Sequence, residues 1–264
     1  MSRTALIAGT GALPAALWPH LGPDAVLAEM EGFPAEVPGV EPIRFRLERL
    51  VPLIERLEDL GVTRVCFAGA VRRPRLDPEA FDARTAALVP RLIAAMGQGD
   101  DGALRAVIGL FEEFGFTVAG LADLAPDLVP GPGVLAGAPT EAARRDIARA
   151  AEIVAGLGAL DLGQGAVVAG GLCLAVETLP GTDAMLEFVR QTKAMPGGVL
   201  YKAPKPAQDR RIDLPAIGPE TVARAAAAGL SGIGFEAGGA ALLDRAATLA
   251  AAEAAGLFLW SRAP

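Results

Sequence analysis

The chain has 264 residues, 52% of them hydrophobic but only 5% aromatic, and a net charge of −7. That length supports one large domain or two smaller ones with cores of Ala, Val, Leu and Ile, and the acidic balance argues against a general nucleic-acid binder. The single histidine, His20, removes His-based triads and multi-His zinc sites, so any metal should be a hard cation held by carboxylates and phosphate oxygens.

In chain order, "TALIAGTGALPAALWPHL" reads as strand, glycine turn and helix. Its apolar run stops at Gly9, too short for a signal-peptide core, and no stretch approaches eighteen uninterrupted apolar residues. A cytoplasmic protein is therefore expected. "DAVLAEM" is a second strand. "RLERLVPLIERLEDLG" sets Leu47, Leu50, Leu53, Ile54 and Leu57 at helical spacing and stops at Gly61. "VTRVCFAGAV" is a further strand, and the βαβαβ order predicts a parallel sheet with covering helices. "DARTAALVPRLIAAM" and "GALRAVIGLFEEFG" read as helices, and "FTVAGLADLAPDLV" as strand and turn.

The Pro- and Gly-rich run from Pro126 to Pro139 reads as a linker. Beyond it come a helix capped by Thr140 and a hairpin through Gly170–Gly171. A helix opened by Thr182 or Asp183 follows, then a strand in "GGVLYKAP". The rest alternates: helix in "GPETVARAAAAG", strand in "LSGIGFEAG", helix in "DRAATLAAAEAAG", strand in "LFLWSR". The expected fold class is α/β in two domains. Residues 1–133 would form a Rossmann-like parallel sheet with helices, and 134–264 a mixed α/β catalytic domain. Cys66 and Cys173 both lie in apolar runs and read as buried small hydrophobes.

Several segments carry chemistry. Gly9 and Gly11 stand between a strand and a helix, where backbone can approach a phosphate. Pro14 replaces the third glycine of a dinucleotide fingerprint, and Glu29 or Glu31 follows near the end of the second strand. A plain tight turn explains the same residues. Arg72, Arg73 and Arg75 lie past a strand end, where open α/β sheets hold ligands and guanidinium forks suit phosphate. Asp100 and Asp101 precede a helix as caps, or as metal or ribose contacts. Gly181, Thr182 and Asp183 open another helix, as an anion-binding turn or a cap.

The segment "YKAPKPAQDRRIDLPAIGPET" stands out. The chain's only lysines, Lys193, Lys202 and Lys205, lie in or just before it, and residues 190–213 hold Arg190, Arg210 and Arg211 as well, against Asp209 and Asp213. A positive field with embedded carboxylates suits phosphoryl chemistry. Lys202, Lys205 and Arg211 would neutralise phosphate oxygens, while Asp209 or Asp213 holds a cation or orients water. A solvated charged loop is the plainer reading. An NAD-dependent oxidoreductase is an alternative, opposed by the incomplete glycine fingerprint and by Tyr201 being the only tyrosine. A non-catalytic nucleotide- or lipid-binding module is another, and predicts saturable binding without turnover.

"KPAQDRRIDLPAIGPETV", with "DLGQGAVV", "GTDAML" and "AAAAGLSGIGFEAG", resembles the LpxI-type UDP-2,3-diacylglucosamine pyrophosphatases of lipid A biosynthesis. "IAGTGALP", "FAGAVRRP", "GDDGALRAV" and "FEEFGFTV" extend the resemblance over nearly the whole chain, in order. It implies two domains holding a lipid-linked nucleotide sugar between them. The implied reaction gives UMP and 2,3-diacylglucosamine 1-phosphate (lipid X), with Mg²⁺ as the divalent cation and water attacking the phosphorus nearer the sugar. It also implies a homodimer and transient contact with the inner-membrane surface, with no nucleic-acid partner. An essential aspartate falls on Asp209 or Asp213. With the readings above, the expected catalytic residues are Asp209, Asp213 and Lys205. Substrate contacts fall on Gly9, Gly11, Arg72, Arg73, Gln164, Thr182, Lys202, Gln208 and Arg211, and metal contacts on Asp183, Asp100 and Asp209. One departure is Pro180, where the family has an acid before the "GTDAML" glycine; Glu177 stands close by.

Overall fold

A computed structural model describes residues 3–71, 76–97, 100–206 and 208–264. The first run of short apolar segments builds β1 (Arg3–Ala8), β2 (Val26–Met30), β3 (Ile43–Phe45), β4 (Val62–Ala68) and β5 (Thr117–Val118). They form one parallel sheet in the order β3-β2-β1-β4-β5. All five residues of β2 are buried, the pattern of a parallel strand covered on both faces. Helices α1 (Leu13–Leu17), α2 (Leu50–Asp59), α3 (Ala83–Ala86), α4 (Val89–Met96), α5 (Asp100–Glu113) and α6 (Leu121–Leu124) accompany these strands. The apolar stripe read in the sequence is real: Leu50, Leu53, Ile54 and Leu57 on α2 are buried with Ala5, Val65 and Phe111. Gly61 ends that helix with a positive φ of 71°, a backbone state that suits glycine.

The second sheet is mixed, in the order β6-β13-β11-β9-β7-β8. The elements of this part of the chain are β6 (Gly133–Ala136), α7 (Glu141–Ala159), β7 (Gly165–Ala169), β8 (Leu172–Val176), α8 (Gly181–Thr192) and β9 (Val199–Lys202), then β10 (Ala216–Ile217), α9 (Pro219–Ala227), β11 (Gly232–Glu236), β12 (Ala241–Leu242), α10 (Arg245–Ala254) and β13 (Phe258–Arg262); β10 and β12 pair with each other in a separate two-stranded parallel sheet. Strands β9, β11 and β13 run parallel, β7 and β6 flank them antiparallel, and β7–β8 is the expected hairpin. Thr140 caps α7 by accepting from the Ala143 amide. Asp146 on that helix, 8% exposed, accepts hydrogen bonds from the amides of Gly170 and Gly171 and fixes the hairpin turn.

By packing, one compact unit comprises the residues up to Ala125 together with Arg211–Asp213. The other comprises Pro126–Arg210 and Leu214–Pro264. Ile212 packs against the first unit's core.

Local expectations differ from this at several places: the helix read in "DARTAALVPRLIAAM" is two, α3 and α4, helix α6 stands where a turn was expected, and Asp100 and Asp101 lie inside α5 rather than before it. Strand β3 adds to the βαβαβ reading. Within the presumed linker, Gly133–Ala136 pairs with β13 as an edge strand. Helix α8 starts at Gly181 after Pro180, with no side-chain cap, so Thr182 and Asp183 lie inside its first turn and do not cap it. Cys173 is exposed, because β8 is an edge strand with none of its residues fully buried. Cys66 is buried as expected, and loss of solvation pushes its thiol up to about 12.

Candidate active site

In the first unit, the turn after β1 is shaped by backbone. The Gly9 amide donates to the Ala68 carbonyl at 2.9 Å, and the Thr10 amide to Ala70 at 3.0 Å. A Cβ on Gly9 would stand 2.5 Å from the Ala70 carbonyl oxygen, so close approach of the β4 exit requires glycine there. Gly11 takes φ 99° with open space around its Cβ position. Helix α1 has five residues and Pro14 in its first turn, which leaves few amides for an anion. Glu29, 7% exposed, accepts from the Ala35 amide at 2.8 Å and pairs with Arg44 at 3.3 Å. The carboxylate that a dinucleotide ribose would need is thus engaged by its own loop, which counts against the oxidoreductase reading.

In the second unit, the carboxyl end of β9 delivers a different kind of edge. Lys202 closes that strand opposite Gly165, the first residue of β7, and is 5% exposed. Its Nζ donates to Thr182 Oγ1 at 2.6 Å, and Thr182 Oγ1 donates to Glu177 Oε2 at 3.0 Å. Lys202 Nζ and Glu177 Oε2 are 3.5 Å apart. Burying a charge is costly unless it is paired and hydrogen-bonded, and this three-membered group meets that need.

The next turn carries Lys205, whose ammonium pairs with Asp161. Asp161 has a φ of 56°, a region that costs a non-glycine residue energy but that Asp tolerates better than most. Gln208, 8% exposed, closes the turn: its Oε1 accepts from the Lys205 amide at 2.8 Å and from Gln164 Nε2 at 3.1 Å. A Cβ on Gly158 would lie 2.6 Å from Pro206 Cδ, so the last part of α7 is kept small to admit this turn. Arg210 pairs with Glu236 at the end of β11 at 2.7 Å, off the line of a good hydrogen bond.

The structure therefore gathers Lys202, Thr182, Lys205, Gln164 and Gln208 around the carboxyl end of β9 and the start of β7. It does not bring Arg211 and Asp213 into that unit. They belong to the first unit, where Arg211 Nη1 donates to Glu112 Oε1 at 2.8 Å and its Cα passes 3.1 Å from the Cβ position of Gly120. Asp209 belongs to the second unit. Asp183 forms an ion pair with Arg224 on α9 at 3.3 Å. Arg72, Arg73 and Arg75 lie outside the described residues, as does the side chain of Asp100. Among the described residues, no three of His, Cys, Asp and Glu gather closely enough to hold a metal by themselves. Glu177 and Asp161 were not singled out as partners in the sequence. Their one signal was position, each a few residues from a strand end in a glycine-rich setting.

Two family models match the chain: the LpxI N-terminal domain over residues 3–128 and the LpxI C-terminal domain over 131–260. It belongs to the LpxI family. The UDP-2,3-diacylglucosamine pyrophosphatase LpxI of Caulobacter vibrioides is 40% identical to it, across 98% of this chain and 97% of that protein. The β9 cluster falls within the LpxI C-terminal domain match. So does Arg211–Asp213 by sequence, although that segment packs with the first unit.

Proposed function

We propose that the chain hydrolyses the pyrophosphate bond of UDP-2,3-diacylglucosamine, yielding UMP and 2,3-diacylglucosamine 1-phosphate in lipid A biosynthesis. The observation that carries this reading is the near-full-length likeness to a UDP-2,3-diacylglucosamine pyrophosphatase. The buried Lys202 group supports it. Water adds to the phosphorus nearer the sugar, the bond from that phosphorus to the bridging oxygen breaks, and the oxygen leaves with UMP. Negative charge grows on the phosphoryl and leaving oxygens. Lys202 and Lys205 neutralise it, and a carboxylate, the role expected of Asp209 or Asp213, orients the water. Gln164, Gln208 and Thr182 set the lysines' turn and head-group positions.

Mg²⁺ is the proposed cofactor. Asp183, committed to Arg224, fits poorly as a ligand, and the described carboxylates form no ready cage. Asp209 or Asp213 would instead share the cation with oxygens of the substrate, as Mg²⁺ commonly does. When bound, it would supply charge neutralisation at the phosphoryl oxygens. We further propose a homodimer working in the cytoplasm, with transient contact at the inner-membrane surface because the substrate carries two acyl chains. Among the described residues, no helix is long and apolar enough to cross a membrane.

The test is turnover of UDP-2,3-diacylglucosamine with Mg²⁺ in ¹⁸O-labelled water, read by mass spectrometry, with and without chelator. UMP with labelled lipid X, lost on chelation, is expected. Label in UMP would move the attack to the other phosphorus, and binding without turnover would leave a binding module.

A further inference from the structure

Glu177 has no part in the reaction as drawn, yet its position is tightly prescribed. Its amide donates to the Gly165 carbonyl at 2.8 Å. A Cβ on Gly165 would stand 2.6 Å from Glu177 Oε2, and one on Gly163 would collide with the Glu177 carbonyl oxygen. Two glycines therefore make room for one carboxylate. That carboxylate faces Lys202 with the Thr182 hydroxyl between them.

The proton count gives this chain a direction. An ammonium can only donate and an ionised carboxylate can only accept, while a hydroxyl has one proton. Thr182 must therefore give its proton to Glu177 and turn a lone pair to Lys202. That orientation satisfies both partners and holds the ammonium at one point. Among the described residues, Lys202 spends one of its three N–H donors, on Thr182. A buried ion pair of this kind contributes little to stability compared with an apolar pair of the same volume. Its retention makes sense where a fixed charge is wanted.

We propose that Glu177, acting through the Thr182 hydroxyl, positions the Lys202 ammonium against the substrate pyrophosphate. Glu177 is thus a positioning residue for turnover. The inference rests on the pyrophosphatase reading and assigns the roles within it.

Steady-state kinetics on UDP-2,3-diacylglucosamine separate the two. Lys202→Met should lower kcat about 100-fold, in the range for loss of one oxyanion donor. Glu177→Gln and Thr182→Val should each lower kcat about 10-fold with smaller changes in KM, as expected for a misdirected transition-state contact. Thr182→Ser should recover most of what Thr182→Val loses. The deciding measurement is a double-mutant cycle: in the Lys202→Met background, Glu177→Gln should cost less than about twofold more. A purely structural Glu177 would cost the same factor in both backgrounds, and that result overturns the proposal. So does full activity in Lys202→Met while the wild type turns over. An inactive wild type would instead bring down the pyrophosphatase reading and this inference with it. Circular dichroism and thermal unfolding check each fold, and if Glu177→Gln does not fold, the Thr182→Val and Lys202→Met cycle carries the same test.

Discussion

After β1 the first unit turns through Gly9–Gly11 with its amides committed to the Ala68 and Ala70 carbonyls, whereas after β9 the second unit projects Lys202 and Lys205, each with a carboxylate beside it. Both lie at the carboxyl ends of strands, where open α/β sheets place their ligands. One edge is shaped by backbone and the other by side-chain charge. The difference teaches where each is vulnerable. The glycine turn has no volume to spare at Gly9, so added atoms there should harm it through stability. The lysine edge has charge to lose, so it should fail through rate while the fold persists.

The largest effect should come from charge. Asp209→Ala and Asp213→Ala, made singly, should leave the fold intact, and at least one should lower turnover by about 1000-fold or more, as removal of a water-orienting or cation-holding carboxylate does. Two fully active variants would take the carboxylates out of the chemistry. Next comes volume: Gly9→Ala should destabilise by about 3 kcal/mol, the upper range for overpacking, read from urea midpoints. A midpoint equal to the wild type would mean that the Ala70 approach can relax.

A third contrast concerns acid. Glu48 in the first unit is buried, and its hydrogen bond from Arg46, with one from the Asp77 amide, holds its carboxyl down to about 2. An ordinary glutamate lies at about 4.3. The folded value is the lower one, so the unfolded chain binds the proton more readily between the two. The contribution is complete above about pH 4.3 and is lost as pH falls toward 2. Glu48→Gln should cost about 2 kcal/mol at pH 7, typical of a charged hydrogen bond, and its deficit should shrink in that window. A deficit constant down to pH 3 would refute the assignment. Glu187 in the second unit is also held at about 2, by Arg190 and Gln191, but on an exposed face. Solvent and salt screen such pairs, so Glu187→Gln should shift the urea midpoint too little to resolve. An equal loss in both variants would mean that burial is not what separates them.

Much of this architecture was readable in the chain. Long elements announced themselves, α2 by its leucine stripe and β1, β4, β9 and β11 by short apolar runs between turns. Strands β3, β6, β10 and β12 did not, because two to four residues carry no usable period and their pairing depends on distant partners. The site was legible in the same uneven way. Lysine spacing pointed to Lys202 and Lys205. Glu177 reaches Lys202 only because a β-hairpin and a helix start converge, and no local pattern encodes that. The division of Arg211 and Asp213 from Asp209 was equally hidden, since they are neighbours in a stiff, proline-rich stretch.

That last division bears on how the molecule can be taken apart. The backbone passes from one unit to the other at 125–126, again at 210–211 and again at 213–214. Cutting it once at 125 would leave the N-terminal piece without Ile212, a side chain that packs on its core. The halves are therefore poor candidates for separate expression, domain swapping or shuffling between relatives. A working N-terminal fragment would need Arg211–Asp213 stitched in from far downstream.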